Sequence, residues 1–287
     1  MIVNLEKSLL IVILVGEINM DELLINKYLN KKGIAIMGQG FSYDKNMQRN
    51  DIVSQVDLII EFHKLLLGGN LTGLSKIKST IGREVESYKV QIRKLQKNYS
   101  YVSSKTCTNE IENIILSNGK IMLEKANKAI NYIYEHDYFG VIRRSMNREE
   151  ICLGKVDKSN LRKNNEKIEV CTIKGMTYNL VEEDLYNYIK KLQRKEINID
   201  EEELIKLFVH GSHLSFNSFD YLRGLCSYPK DFLKFWERYR DSRKDNTREI
   251  YNIQNEECKG SRKARNDEQL LNGLKKSLKY ESKNFII

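Results

Sequence analysis

The sequence is poor in proline and has no long hydrophobic run. Pro229 is the one proline among 287 residues, so the loops must rely on Gly, Asn and Asp. This favours a mainly helical chain with polar loops. The most apolar stretch, Ser8–Val15, is far shorter than the roughly 20 residues that a membrane-spanning helix needs, and its Ile and Val content predicts a buried strand. No small-residue cleavage site follows it, so we expect a cytoplasmic protein.

Cysteine and histidine offer no metal site. The cysteines lie at Cys107, Cys152, Cys171, Cys226 and Cys258. Their number is odd and no C-x-x-C pair occurs, which indicates reduced thiols and excludes a disulfide framework. His210 and His213 are close in sequence, but no Cys, Asp or Glu nearby completes a ligand set. We therefore predict a loop pair there, with no metal and no cofactor.

The charge is basic without being concentrated. Lys and Arg number 48 against 39 acidic residues, a net charge of +9. Such a balance permits an anionic partner, but the basic residues are spread along the chain as on solvated helix faces. We do not expect nucleic acid or a membrane to be the partner. A basic helical adaptor that binds nucleic acid stays open as an alternative.

Helical and strand-like patterns alternate in the N-terminal third. Met20–Leu29 predicts a short helix and Gly33–Gly38 a short strand. Gly38-Gln-Gly40 is half of a phosphate-binding loop at best, and no helix start follows it, so we predict a turn. Ser54–Leu67 predicts a helix that ends at Gly68, with His63 packed in the core.

The middle of the chain predicts long helices. Apolar residues repeat at steps of three and four over Ile77–Tyr99, which predicts one amphipathic helix that contains Gly82. We predict further helices at Asn109–Asn118 and Lys120–Glu135, separated at Gly119.

After Glu135 the period changes. Glu150–Gly154 and Lys167–Ile173 are short strand-like runs around the turn-forming pair Asn164-Asn165. Helices resume at Glu183–Arg194, Asp200–Leu207 and Pro229–Arg243. We interpret residues 246–287 as a charged tail with one docked helix, Gln269–Tyr280.

The order of these elements, together with four motifs, resembles a known superfamily. Ile151–Asn160 (ICLGKVDKSN) resembles the I-C-H-G-D-x-x-x-x-N catalytic loop of protein-kinase-like and aminoglycoside-phosphotransferase-like domains, especially the CotS-type spore coat proteins. Lys167–Lys174 resembles the strand that ends V-I-D-F-D in these proteins, and Tyr178–Leu185 resembles the following Y-D-x-x-x-x-D-L. Tyr228–Tyr239 resembles their C-terminal Y-P motif, and Arg144–Met146 adds to the match.

The resemblance implies an α+β, mainly helical fold. It implies a kinase-like C-terminal lobe over residues 54–245 and a reduced N-terminal lobe over residues 1–53. It also implies that Asp184 braces the backbone of the catalytic loop; the opening-turn position of Asp184 in a helix is an alternative explanation for its presence. Trp236 and Tyr239 lie on one helix face and are predicted to be core.

The departures from the motif fall on its chemistry. Phosphoryl transfer needs a carboxylate at the substrate hydroxyl and oxygen ligands for Mg²⁺. The base position holds Lys155, and the preceding histidine position holds Leu153. The metal-binding positions hold Thr172 and Lys174. Gly154 and Asn160 keep the spacing of the motif, but one neutral amide cannot hold an Mg²⁺–nucleotide complex alone.

The sequence therefore favours a non-catalytic, pseudokinase-like protein. Membership of the CotS family would make it a structural or assembly component of the spore coat, with other coat or sporulation proteins as partners. The main alternative is a small-molecule phosphotransferase with a rearranged site that uses Asp157 or Asp184 as its base.

Overall fold

The computed structural model describes residues 20–43, 46–68, 77–249 and 256–281. The helices are α1 (Met20–Lys31), α2 (Arg49–Leu66), α3 (Arg83–Ser103), α4 (Glu110–Glu135), α5 (Tyr138–Asn147), α6 (Glu182–Arg194), α7 (Glu201–Gly211), α8 (Phe216–Ser227), α9 (Lys230–Glu249) and α10 (Glu256–Glu281). The strands are β1 (Ile34–Ile36), β2 (Ile151–Cys152), β3 (Leu161–Asn164), β4 (Lys167–Val170) and β5 (Thr177–Tyr178). The chain is therefore mainly helical, as predicted.

The chain divides into two compact units. The first contains the described residues of Met1–Thr80 and Arg144–Tyr188; the second contains Ile81–Arg143 and the described residues of Ile189–Ile287. Each unit joins segments that are far apart in sequence. The predicted boundaries at 53/54 and 245/246 fall inside α2 and α9, respectively.

The first unit is organised around the sheet β1-β4-β3. β3 and β4 form an antiparallel hairpin in which Leu161 faces Val170, and its turn places Asn165 and Glu166 at φ 44° and 68°. β1 pairs in parallel with β4, from Ile34 beside Ile168 to Ile36 beside Val170. β2 and β5 form a separate antiparallel pair. The predicted strand Gly33–Gly38 and the two strand-like runs are present as β1, β2 and β4. The turn lies at Asn165-Glu166, one residue later than the predicted pair Asn164-Asn165, because Asn164 belongs to β3, a strand that was not predicted.

The second unit is a helical assembly. α4 packs on α3 and α8, and α10 packs along α9. Trp236 and Tyr239 of α9 are buried, as predicted, and the Trp236 indole Nε1 donates to Asn98 Oδ1 at 2.8 Å. α4 begins with a capping box, in which the Asn109 side chain accepts from the Glu112 amide at 2.9 Å. The Asp200 side chain caps α7 in the same way.

The helix predicted over Ile77–Tyr99 begins later than its apolar pattern suggests. α3 starts at Arg83, and Gly82 immediately before it has φ +79°, a left-handed conformation that glycine adopts readily. Ser79, ahead of this glycine, instead forms an isolated parallel bridge with Tyr178. Gly82 is thus the boundary of the helix rather than a weak point inside it.

The predicted break at Gly119 is also wrong. α4 runs without interruption from Glu110 to Glu135, and a Cβ atom at Gly119 would lie 3.0 Å from the Trp236 ring. This glycine is therefore explained by the close approach of a large side chain. α8 was not predicted, although its buried residues Tyr221, Leu222, Leu225 and Cys226 follow helical spacing and lie on one face.

Two further predictions concern the apolar N-terminal stretch and membrane-spanning helices. The predicted strand Ser8–Val15 lies outside the described residues. No helix in the described part of the chain has the length and apolar character needed to cross a membrane.

The predicted docked helix near the C-terminus, α10, stabilises the start of α9 in the second unit. The buried Glu281 carboxylate, near the end of α10, accepts from the Asp231 and Phe232 amides at 2.8 and 2.9 Å. These amides belong to the first turn of α9, where donors lack partners within the helix. Glu281 therefore caps α9 from a distant segment.

Replacing Glu281 with alanine should lower the free energy of unfolding by about 2 kcal/mol, because two buried amides lose a charged acceptor. Urea unfolding measured by far-UV circular dichroism gives the value. The exposed Asn272 of α10 provides the control, and Asn272→Ala should change stability by less than about 0.5 kcal/mol. Equal effects of the two substitutions would contradict the capping role.

Candidate functional site

The segment Ile151–Asn160 forms a loop that leads from β2 to β3 in the first unit. One buried side chain of α2 holds both the middle of this loop and the first residue of β3. Gln55 Nε2 donates to the carbonyl oxygens of Val156 at 2.7 Å and Leu161 at 3.1 Å. Sequence reasoning missed Gln55, since a glutamine in an apolar helix stripe carries no signal for a partner more than a hundred residues away.

Asp184, in the first turn of α6, accepts hydrogen bonds from the loop backbone. Its carboxylate oxygens lie 2.8 Å from the Leu153 amide and 2.8 Å from the Gly154 amide, and the side chain is fully buried. His63 of α2 contacts the same carboxylate, with Nε2 2.9 Å from Oδ2. The predicted core histidine is thus buried, and it helps to hold the aspartate that holds the loop.

Gly154 lies where the loop meets the segment that follows β4. Its φ is +80°, and a Cβ atom there would be 2.9 Å from the Gly175 carbonyl oxygen. A Cβ atom at Gly175 would in turn lie 3.0 Å from the Leu153 carbonyl oxygen. The two backbones therefore approach so closely that only glycine fits without a shift.

Gly154→Ala should accordingly lower the free energy of unfolding by about 2 kcal/mol. This cost combines the strain of an alanine at positive φ with the clash of its Cβ atom against the Gly175 backbone. Gly33 has a similar φ of +78° but open space around its Cβ position, which makes Gly33→Ala the matched control for strain alone. Thermal melts of both variants separate the clash from the strain. A Gly154→Ala variant no less stable than Gly33→Ala would contradict the close approach.

Asn160 forms hydrogen bonds with the backbone on both sides of the site. Because Leu161 faces Val170 in the hairpin, Asn160 lies beside the segment that leaves β4, and its carbonyl accepts from the Cys171 amide at 2.8 Å. Its side-chain Oδ1 accepts from the Thr172 amide at 2.9 Å, while Nδ2 donates to the carbonyl oxygens of Lys155 at 2.7 Å and Thr172 at 3.2 Å. The Asn160 side chain thus joins the backbone at Lys155 to the backbone at Thr172.

Lys155 and Lys174 are both exposed, and neither forms an ion pair with any residue that the structure describes. They come directly after Gly154 and directly before Gly175, so the glycine contact brings the two lysines to neighbouring backbone positions. Thr172 Oγ1 accepts from the Lys174 amide at 3.3 Å, and Leu153 is buried. The segment that the motif resemblance predicts as a metal site therefore carries two exposed lysines.

The carboxylates suggested as substitutes for a catalytic base have other partners. Asp157 is buried, and its Oδ1 accepts from the Ser159 amide at 3.1 Å and from the Ser159 hydroxyl at 2.5 Å. This bonding turns Asp157 back onto its own loop. The Asp184 oxygens accept from the loop amides and His63, as described above. Both carboxylates are therefore engaged in hydrogen bonds within the protein.

These residues do not fit the Mg²⁺–nucleotide complex that a phosphotransferase would bind. A hard cation requires oxygen ligands, usually including carboxylates. Thr172 supplies one hydroxyl, the Asn160 oxygen already accepts a backbone hydrogen bond, and two lysines repel a cation.

His63, Cys152 and Asp184 form the group of potential metal ligands in the described part of the chain, with ligand atoms within 4.8 Å of one another. Metal binding requires a thiolate. Burial raises the pKa of the Cys152 thiol well above its ordinary value, and the thiol donates to the Leu180 carbonyl at 3.0 Å. This group is therefore a packed hydrogen-bonded cluster.

Arg144, which the sequence singled out without a role, anchors the segment before the loop. Its guanidinium bonds both oxygens of Glu150, at 3.2 and 2.9 Å, and both oxygens of Glu182, at 2.7 and 2.9 Å. Both glutamates are buried. The arginine thus joins the start of the loop to the start of α6, the helix that carries Asp184.

Comparison with known proteins supports the fold. No protein-family model matches this sequence, and no curated protein matches it. The structure is similar to that of an aminoglycoside phosphotransferase from Alicyclobacillus acidocaldarius subsp. acidocaldarius DSM 446. The match has a TM-score of 0.57 and 11% sequence identity, and it covers 91% of this chain and 82% of the other. At this identity the likeness establishes a mainly helical, kinase-like fold of the aminoglycoside phosphotransferase type.

Proposed function

We propose that this protein is a non-catalytic, kinase-like scaffold, a pseudokinase that acts through its surface. The main support for the proposal is the set of hydrogen bonds that the Asn160 side chain forms. Its amide joins Lys155 and Thr172, the positions where a phosphotransferase has its base and a metal-binding carboxylate. Losing a general base alone costs about 10²–10⁴ in rate, and this loop also lacks the ligands for the metal.

The residues that maintain the fold support the same proposal. Asp184 and Gly154 hold the loop in place, and Trp236 and Tyr239 fill the core of the second unit. A chain that keeps its packing while it loses the charged groups of catalysis has the character of a scaffold.

Manganese binding tests whether the loop can hold a metal–nucleotide complex. Mn²⁺ favours the same oxygen ligands as Mg²⁺ and is paramagnetic, so its binding in the presence of ATP can be followed by electron paramagnetic resonance. We expect no protein-bound Mn²⁺–ATP in the wild type. Thr172→Asp/Lys174→Ala, which restores a carboxylate and removes a cation, should bind more Mn²⁺ than the matched variant Thr172→Asn/Lys174→Ala. Stoichiometric Mn²⁺–ATP binding by the wild type would contradict the proposal.

We further propose that the scaffold belongs to the spore coat. This part rests on the motif resemblance of Ile151–Asn160 and Tyr178–Leu185 to CotS-type proteins. In the source organism, antibodies should detect the protein in the coat extract of purified endospores and in sporulating cells. Detection only in vegetative cells, or a source that forms no endospores, would overturn the coat assignment while leaving the scaffold proposal standing.

A further inference from the structure

A cleft of about 1030 Å³ opens within the second unit and shares no residue with the loop Ile151–Asn160. The C-terminal half of α3 forms one wall, the start of α4 forms the floor, and α9 forms the other wall. The residues that matter for its chemistry are Lys97, Asn98, Tyr101, Lys105, Glu112 and Arg240. Its volume is about that of the larger small-molecule sites in proteins, roughly 300–1,000 Å³.

The acidic residue of the cleft lining is already neutralised. Glu112 is buried, and its Oε1 accepts from Lys105 Nζ at 2.5 Å and from the Tyr239 hydroxyl at 3.1 Å. Its other oxygen accepts from the Asn109 amide at 3.4 Å. Glu112 and Lys105 therefore offset each other, and the character of the cleft is set by the groups around them.

Arg240 presents one side of its guanidinium without a partner. The side chain is 8% exposed, Nε and Nη2 both donate to Asp241 Oδ1, and Nη2 lies 3.6 Å from Glu237 Oε1. Its Nη1 donates to no residue that the structure describes. A nearly buried arginine with an unused pair of N–H groups at a cleft is a strong feature of an anion site.

Two more donors in the lining are uncommitted. The Lys97 ammonium is exposed and makes neither an ion pair nor a hydrogen bond within the described ranges. Asn98 Oδ1 accepts from the Trp236 indole at 2.8 Å, which fixes the amide, while Asn98 Nδ2 donates to no described residue. Two cations and one amide that line the same cavity thus have N–H groups with no partner among the described residues.

This set of donors matches a phosphate monoester. Such a group carries a charge of about −1.5 to −2 at neutral pH and three acceptor oxygens, which two cations and an amide can satisfy together. Arginine is well suited to it because its planar fork bonds two phosphate oxygens at once. The Tyr101 ring, 61% exposed, adds a flat aromatic face on which a ring of the ligand can stack.

We propose that this cleft binds a small molecule that carries a phosphate monoester on a ring-bearing body, such as a nucleoside monophosphate. The phosphate lies against Arg240 Nη1, Lys97 and Asn98, and the ring lies against Tyr101. The site is separate from the degenerate kinase-like loop, so it stands whether or not the scaffold proposal holds.

Isothermal titration calorimetry on the full chain tests the site with defined probes. The probes are AMP, inorganic phosphate, adenosine and succinate, which separate the phosphate from the ring and from charge alone. We expect one AMP per chain, weaker binding of phosphate, and the weakest binding of adenosine and succinate. Lys97→Ala and Arg240→Lys should each weaken AMP binding about tenfold, the effect of losing one charge-assisted hydrogen bond.

Lys128→Ala is the matched control, since Lys128 is exposed on α4 outside the cleft and has no ion-pair partner within the described ranges. Lys97 is exposed, so Lys97→Ala should keep the wild-type melting temperature. The proposal is overturned if AMP does not bind at millimolar concentration, or if succinate binds as tightly as AMP. It is also overturned if Lys97→Ala binds AMP like Lys128→Ala, or if Lys155→Glu abolishes binding while the cleft variants do not.

Discussion

Replacing Asp184 with alanine is expected to lower the free energy of unfolding by about 3–5 kcal/mol, the range measured when one partner of a buried charged network is removed. The carboxylate accepts from the amides of Leu153 and Gly154 and contacts His63, all in a buried setting. Without it, two backbone donors and an imidazole lose their acceptor, and each orphaned buried group costs about 1–3 kcal/mol. Urea unfolding followed by circular dichroism measures the loss.

Two further variants make the Asp184 result specific. Asp184→Asn keeps one oxygen acceptor of similar shape and should lose less than Asp184→Ala. Asp57→Ala removes an exposed aspartate of α2 in the same unit and should change stability by less than about 0.5 kcal/mol. If Asp184→Ala is as mild as Asp57→Ala, then Asp184 does not hold the loop, and its place in the motif is only that of a helix-start residue.

Arg144→Met is expected to cost a similar amount, about 3–5 kcal/mol. The arginine bonds Glu150 and Glu182 with both arms of its fork, and these carboxylates are 1% and 0% exposed. Removing the cation leaves two buried like charges facing each other. Arg148, whose Nη1 lies 3.7 Å from Glu150, compensates only in part because no second cation pairs with Glu182 among the described residues.

The neighbouring Arg143 provides the control for Arg144. It is exposed on the same helix, and Arg143→Met should leave stability nearly unchanged. The triple variant Arg144→Met/Glu150→Gln/Glu182→Gln should recover part of the loss, since it removes the uncompensated charges together with the arginine. Equal stability of Arg144→Met and Arg143→Met would show that the buried network contributes nothing measurable.

The local part of the site could be predicted from sequence. The strand-like runs, the Asn164-Asn165 turn and the spacing of Gly154 and Asn160 all depend on neighbouring residues, and local pattern encodes them. The pairing of β3 with β4, which was not predicted, places Asn160 beside Thr172.

The supports of the loop could not be predicted in the same way. Gln55 and His63 reach the loop and Asp184 from α2, and nothing in a single sequence pairs residues so far apart. Helix boundaries failed for a related reason. Gly82 marks the start of α3 through its left-handed backbone conformation, whereas Gly119 lies inside α4, where Trp236 packs against it. Glycine thus borders one helix and lies within another, and tertiary packing determines which of the two occurs.

Our central proposal is that the loop Ile151–Asn160 does not catalyse phosphoryl transfer. The most direct measurement incubates the purified full chain with radiolabelled ATP, Mg²⁺ and a panel of hydroxyl- and amine-bearing small molecules, aminoglycosides included. Wild type and a folded Asn160→Ala variant are compared side by side. We predict that neither transfers phosphate above the protein-free background. Robust Mg²⁺-dependent phosphorylation by the wild type that Asn160→Ala abolishes would contradict the account.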